Sequence, residues 1–111
     1  MSKEVNFLDM VPVRLHDNYR EVDGVVHLIF THDKLVEKFL RWMVKKGRTS
    51  TLELDKLGSN AWKAFDGQNT VYDIINLLLT MEDDTYESME QRIIMFIRLL
   101  IKKKLIRLDE K

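Results

Sequence analysis

Apolar and polar positions change their period several times along the chain, and each change marks an element. From Pro12, Val13 and Leu15 alternate with polar neighbours, and Val25 to Phe30 is apolar except at His27. Val22-Asp23-Gly24-Val25 sets a two-residue hairpin signal between the two runs, so antiparallel strands are predicted over Tyr19 to Val22 and Val25 to Phe30. A third strand is expected at Thr49 to Leu54, where Leu52 and Leu54 share one face while Thr51 and Glu53 share the other.

Residues 33 to 46 change to a helical period. Thr31 or Asp33 caps the start, Gly47 ends the helix, and Leu35, Val36, Phe39, Leu40, Met43 and Val44 recur at helical spacing. With Trp42 they cover roughly half the circumference at about 100° per residue, and the opposite side is locally basic.

The segment Leu54 to Ile75 reads as two further helices. Asp55 caps the first, which turns Leu57, Ala61, Trp62 and Phe65 to one side and stops at Asp66-Gly67. Thr70 caps the second, Asp73 completes a capping box, and Val71, Ile74, Ile75 and Leu78 form its core side. After the acidic loop Glu82-Asp83-Asp84, a long helix is predicted from about Glu87 to Lys103. Its expected buried stripe is Met89, Ile93, Phe96, Ile97, Leu100 and Ile101, with Met95 and Leu99 off the stripe beside Arg92, Arg98 and Lys102. Leu105 to Leu108 reads as a short closing strand. The predicted fold is α+β and winged-helix-like: a small three-stranded antiparallel sheet followed by three helices, with an extra amphipathic helix inserted between strands 2 and 3.

Composition narrows the use of such a fold. The 111 residues fit a single domain over the whole chain, with residues 1–11 as a flexible N-terminus, and 45% apolar against 32% charged residues describe a globular protein. Eighteen Lys and Arg balance eighteen Asp and Glu, so no global field draws the chain to nucleic acid or an anionic membrane. With no cysteine, disulfides, thiolate metal sites and a cysteine nucleophile drop out together. The start of the chain lacks a signal-peptide run and no stretch nears the roughly 20 apolar residues of a membrane span, which predicts a cytoplasmic protein.

Several residues in order resemble the PqqD-like family, the recognition elements for precursors of ribosomally made, post-translationally modified peptides. They are Leu54-Asp55, Gly58, Ala61-Trp62, Asp66-Gly67, Thr70-Val71, Ile74-Ile75 and the terminal Lys104-Leu105-Ile106, spanning roughly residues 12 to 108. The resemblance implies a non-catalytic peptide chaperone in natural product biosynthesis. Such a module binds the leader of a precursor peptide and presents it to a modifying enzyme, often a radical S-adenosylmethionine enzyme. It also implies that the leader adds as a strand at a sheet edge and packs against the long helix. Carried onto this chain, the edge is Thr49, Thr51, Leu52, Glu53 and Leu54, and the wall is Met95, Leu99 and Lys102. The shortest family members join strands 2 and 3 tightly, whereas here residues 33 to 46 intervene; Phe39, Trp42 and Met43 on that insertion are the expected partner-binding residues. That face suits an enzyme partner, a membrane surface, a homodimer or packing within its own domain.

The remaining chemistry is read as structural. His16, His27 and His32 show no paired ligand spacing, and the acidic residues sit at helix ends or in a loop, so neither a metal, a cofactor nor an enzyme active site is predicted. Two other functions stay open: a winged-helix DNA-binding protein, and a scaffold subunit that binds its enzyme but no peptide. The helix from Thr70 has no lysine or arginine through Met81, which argues against a nucleic-acid partner.

Overall fold

The computed structural model of the protein describes residues 6–31, 44–46 and 49–111. Among them are a short 3-10 helix (Phe7–Asp9), six strands and three α-helices: β1 (Met10–Arg14), β2 (Tyr19–Val22), β3 (Val25–Thr31), β4 (Val44–Lys46), β5 (Thr49–Glu53), α1 (Lys56–Ala64), α2 (Val71–Leu79), α3 (Tyr86–Lys102) and β6 (Ile106–Glu110). All strand pairs are antiparallel, which makes the protein α+β. Its residues group into two compact units, His16–Ser59 and Met1–Leu15 with Asn60–Lys111.

The unit His16–Ser59 holds a four-stranded sheet in the order β2-β3-β5-β4. The hairpin between β2 and β3 forms where Asp23-Gly24 placed it: both residues take positive φ, 53° and 82°, and Val22 pairs with Val25. Two left-handed residues in succession match the twist of the flanking strands, and glycine adopts that conformation without a Cβ clash. Val26, Leu28 and Phe30 alternate as buried positions along β3, as half-buried pleating requires. His16 extends the sheet with its side chain: Nε2 donates to the Ile29 carbonyl at 2.8 Å, and the ring packs on Phe30 with centroids 4.4 Å apart.

Two expectations change here. The sheet has four strands rather than three, because Val44–Lys46, expected as the last turn of a helix, pair instead with Thr49–Thr51 as β4. The donors and acceptors that would close helical turns are used in a ladder, and three residues of pattern alone do not tell the two apart. The rest of the expected helix, with Phe39, Trp42 and Met43, lies outside the described residues.

The other unit is a helical core tied by a two-stranded sheet of β1 and β6, with Met10 opposite Glu110 and Arg14 opposite Ile106. α2 packs on α3, and β6 lies against α3. Trp62, Phe65, Ile74, Ile75, Leu78, Met89, Ile93, Ile97 and Leu100 are buried almost completely. The α3 stripe differs from expectation at two residues. Phe96 is half-buried, its ring stacked on Phe65 at 6.3 Å, and Ile101 is exposed.

Helix ends are closed by side chains. The Thr70 hydroxyl accepts from the Asp73 N–H and the Asp73 carboxylate accepts from the Thr70 N–H, both at 3.0 Å, completing a capping box. Thr85 caps α3 by accepting from the Ser88 N–H. α3 ends in a Schellman arrangement: Lys104 donates to the Ile101 carbonyl and Leu105 to the Leu100 carbonyl, with Lys104 at φ 63°. Arg14 of β1 reaches the end of α1, its guanidinium donating to the Trp62 carbonyl at 2.9 Å and the Lys63 carbonyl at 3.4 Å. A cation there also meets the negative end of the helix dipole.

Candidate functional site

Two surfaces carry the residues singled out from the sequence, one in each unit. The first is β5. Its register with β3 sets Leu28 opposite Leu52 and Phe30 opposite Ser50, and the Leu54 N–H donates to the Val26 carbonyl at 2.9 Å. Ser50, Leu52 and Leu54 therefore turn their backbone groups toward β3. Thr49, Thr51 and Glu53 turn theirs the other way. On that outward side β4 pairs as far as Thr51. The expected edge from Thr49 to Leu54 is thus corrected: among the described residues, β5 lies between β3 and β4 over Thr49–Thr51 and runs past β4 from Leu52 onward.

Side chains follow the same alternation. Leu54 is buried and belongs to the core, Leu52 is half-buried, and Glu53 is exposed. Glu53 shares its face with His27 and Arg20, which stand opposite one another across the three strands. The start of α1 is fixed next to this end of β5. Asp55 Oδ1 accepts from the Gly58 N–H at 2.7 Å, and the buried Ser59 hydroxyl accepts from the Val26 N–H at 2.8 Å while donating to the Leu54 carbonyl at 3.3 Å.

The second surface is the outer side of α3. Met95 is 70% exposed and Leu99 46%, with Lys102 also exposed, so these residues do lie off the buried stripe as the periodicity placed them. At about 100° per residue, Glu87, Arg98, Gln91, Lys102, Met95 and Leu99 fall within an arc of roughly 120° opposite that stripe. All six are exposed.

Several charged groups elsewhere have structural partners. Arg92 bonds Asp84 at 2.7 Å and lies 3.6 Å from Glu82, and Asp84 also accepts from the Thr85 N–H and the Ser88 hydroxyl. The Arg92 bond, helped by Thr85, holds the Asp84 carboxyl below the usual carboxylate range. Burial pushes the Asp66 carboxyl up, but the N–H groups of Gln68, Asn69 and Asp66 itself and the charge of Arg14 outweigh it, so the net shift is downward. Among the described residues, no group of three or more His, Asp or Glu gathers as a metal site would require, and no helix is long and apolar enough to cross a membrane.

Compared with protein-family models, with curated proteins and with solved structures, the chain matches none.

Proposed function

We propose that this protein is a non-catalytic peptide-recognition module of winged-helix type. It takes an extended leader segment of a ribosomal precursor peptide as an added strand beside the end of β5 and presents it to a modifying enzyme, a radical S-adenosylmethionine enzyme being the class suggested by the PqqD-like resemblance. The observation that supports the reading most is Glu53: it is exposed, and among the described residues its backbone groups point to the side that β4 leaves after Thr51. A strand added there gains main-chain hydrogen bonds, while side-chain alternation supplies sequence preference. The half-buried Leu52 offers an apolar neighbour on the opposite face. Binding of this kind needs no charge relay, metal or nucleophile.

The test is backbone-amide NMR of the full chain titrated with a synthetic peptide from a small open reading frame beside its gene. Shifts centred on Leu52 to Asp55 are expected. Shifts centred instead on β2, the opposite outer strand, would refute the assignment to β5. Steeply salt-dependent binding of duplex DNA with no peptide binding would replace the reading with a DNA-binding one.

A further inference from the structure

The outer line of α3 has an order of its own. Reading every fourth residue gives Glu87, Gln91, Met95 and Leu99, and the line closes on Lys102 within the same arc, so it runs acidic, neutral polar, apolar, basic from one end of the helix to the other. All five side chains are exposed, and Met95 shows more of its surface than any other large apolar residue among those described. The neighbouring arginines are already engaged: Arg92, just outside the arc, is held by Asp84, and Arg98 lies over the Phe7 ring, 5.9 Å from its centroid. Glu87 and Lys102 are left as the charges that mark the two ends of the line. Such a line complements itself when one copy is reversed against another.

We infer that α3 pairs antiparallel with α3 of a second copy of this chain, forming an isologous dimer centred on Met95. With the two Met95 side chains meeting at the two-fold axis, Leu99 of each copy falls level with Gln91 of the other and packs beside its Met95. Glu87 of the first copy then falls level with position 103 of the second, next to Lys102, and the axis repeats every contact. Parallel pairing would instead set Glu87 against Glu87 and Lys102 against Lys102. The contact is small, since a helix of 17 residues is about 25 Å long, and sits at the transient end of protein interfaces. The dimer therefore forms in the micromolar range or above. Apolar contact supplies the attraction, and the end charges set the direction.

Sedimentation equilibrium of the full chain from about 10 μM to 1 mM, in low salt, tests this inference. Wild type is expected to show a monomer–dimer equilibrium that Met95→Glu removes, because two carboxylates would then face each other at the axis. Glu87→Lys and Lys102→Glu should each weaken dimerisation about tenfold, each change converting two attractive contacts per dimer into repulsive ones. Mixing those two variants should restore it, since every residue at position 87 then meets its opposite charge at position 102. A monomer throughout the range overturns the inference, as does a dimer indifferent to Met95→Glu or a mixture no tighter than the single variants. Circular dichroism of each variant separates loss of pairing from loss of fold. The dimer takes up Met95, Leu99 and Lys102, so in this inference they are not a wall for the leader, and the peptide titration at β5 tests a separate surface.

Discussion

Replacing Ser59 with alanine removes one oxygen and leaves two backbone groups to find other partners. Ser59 is fully buried, and its hydroxyl stands where the β3 ladder ends: it accepts the Val26 N–H at 2.8 Å and donates to the Leu54 carbonyl at 3.3 Å. Val26 is itself fully buried, so its N–H has no water to turn to. A buried donor left without an acceptor costs about 1–3 kcal/mol. The Leu54 bond is long and adds little. A loss of about 2 kcal/mol follows, and for a chain of this size that lowers the melting temperature by about 8 °C. Thermal melts of Ser59→Ala measure it, with Thr80→Ala as the control, because the Thr80 hydroxyl donates to the Leu77 carbonyl on an exposed helix end where water can replace it. The control should shift by less than about 0.5 kcal/mol. Hydrogen exchange gives the local reading: the Val26 amide should lose protection more than the amides of Leu28 and Phe30. A Ser59→Ala protein that melts with wild type, or an unchanged Val26 amide, would refute the reasoning.

Other outcomes follow from single features of the fold. Lys104→Gly should raise stability by up to about 1 kcal/mol, since Lys104 holds a left-handed conformation that glycine takes without a Cβ penalty; urea melts read the change. Glu53→Pro should preserve the fold and abolish the peptide-induced NMR shifts, whereas Leu52→Pro should destabilise the sheet by about 1–3 kcal/mol because the Leu52 N–H faces β3. Acid should weaken the Asp84–Arg92 contact: the folded pKa of Asp84 lies below its unfolded value, so its contribution is complete above the unfolded pKa and disappears as pH falls through the folded one. Melting temperatures of wild type and Asp84→Asn should therefore converge below about pH 4, the ordinary aspartate range, and a constant difference down to about pH 2 would contradict the shift.

Local signals in the sequence were the ones that translated into structure. Asp23-Gly24 specifies its turn through two positive φ angles, and Thr70 with Asp73 closes a box within four residues, so neither depends on distant chain. The off-stripe placing of Met95 and Leu99 likewise needs only the helical period. What escaped was long-range pairing. The sequence marks a closing strand at Leu105 to Leu108 but not its extension through Asp109 and Glu110, poor strand formers by propensity, and nothing in β1, which buries the adjacent Val11 and Pro12, names β6 as its partner. β4 is three residues defined by what lies beside it. The extent of the exposed edge on β5 depended on that neighbour, which is why Thr49 and Thr51 looked open when read along the chain and, among the described residues, Glu53 keeps outward backbone groups beyond β4.

The pairing of β1 with β6 also constrains the order in which the protein folds as it is made. The unit His16–Ser59 is one uninterrupted segment, while the other draws on Met1–Leu15 and on Asn60–Lys111. During synthesis the sheet β2-β3-β5-β4 has all its strands available while β1 still waits for a partner that is translated after all of them. Joining Arg14 to Ile106 closes a loop of about ninety residues, an entropic cost of about 4 kcal/mol. Contacts of that span form late, so the nascent chain carries Met10–Arg14 as an unsatisfied strand until Ile106–Glu110 has emerged, and a ribosome stalled before Ile106 holds an edge open to other chains.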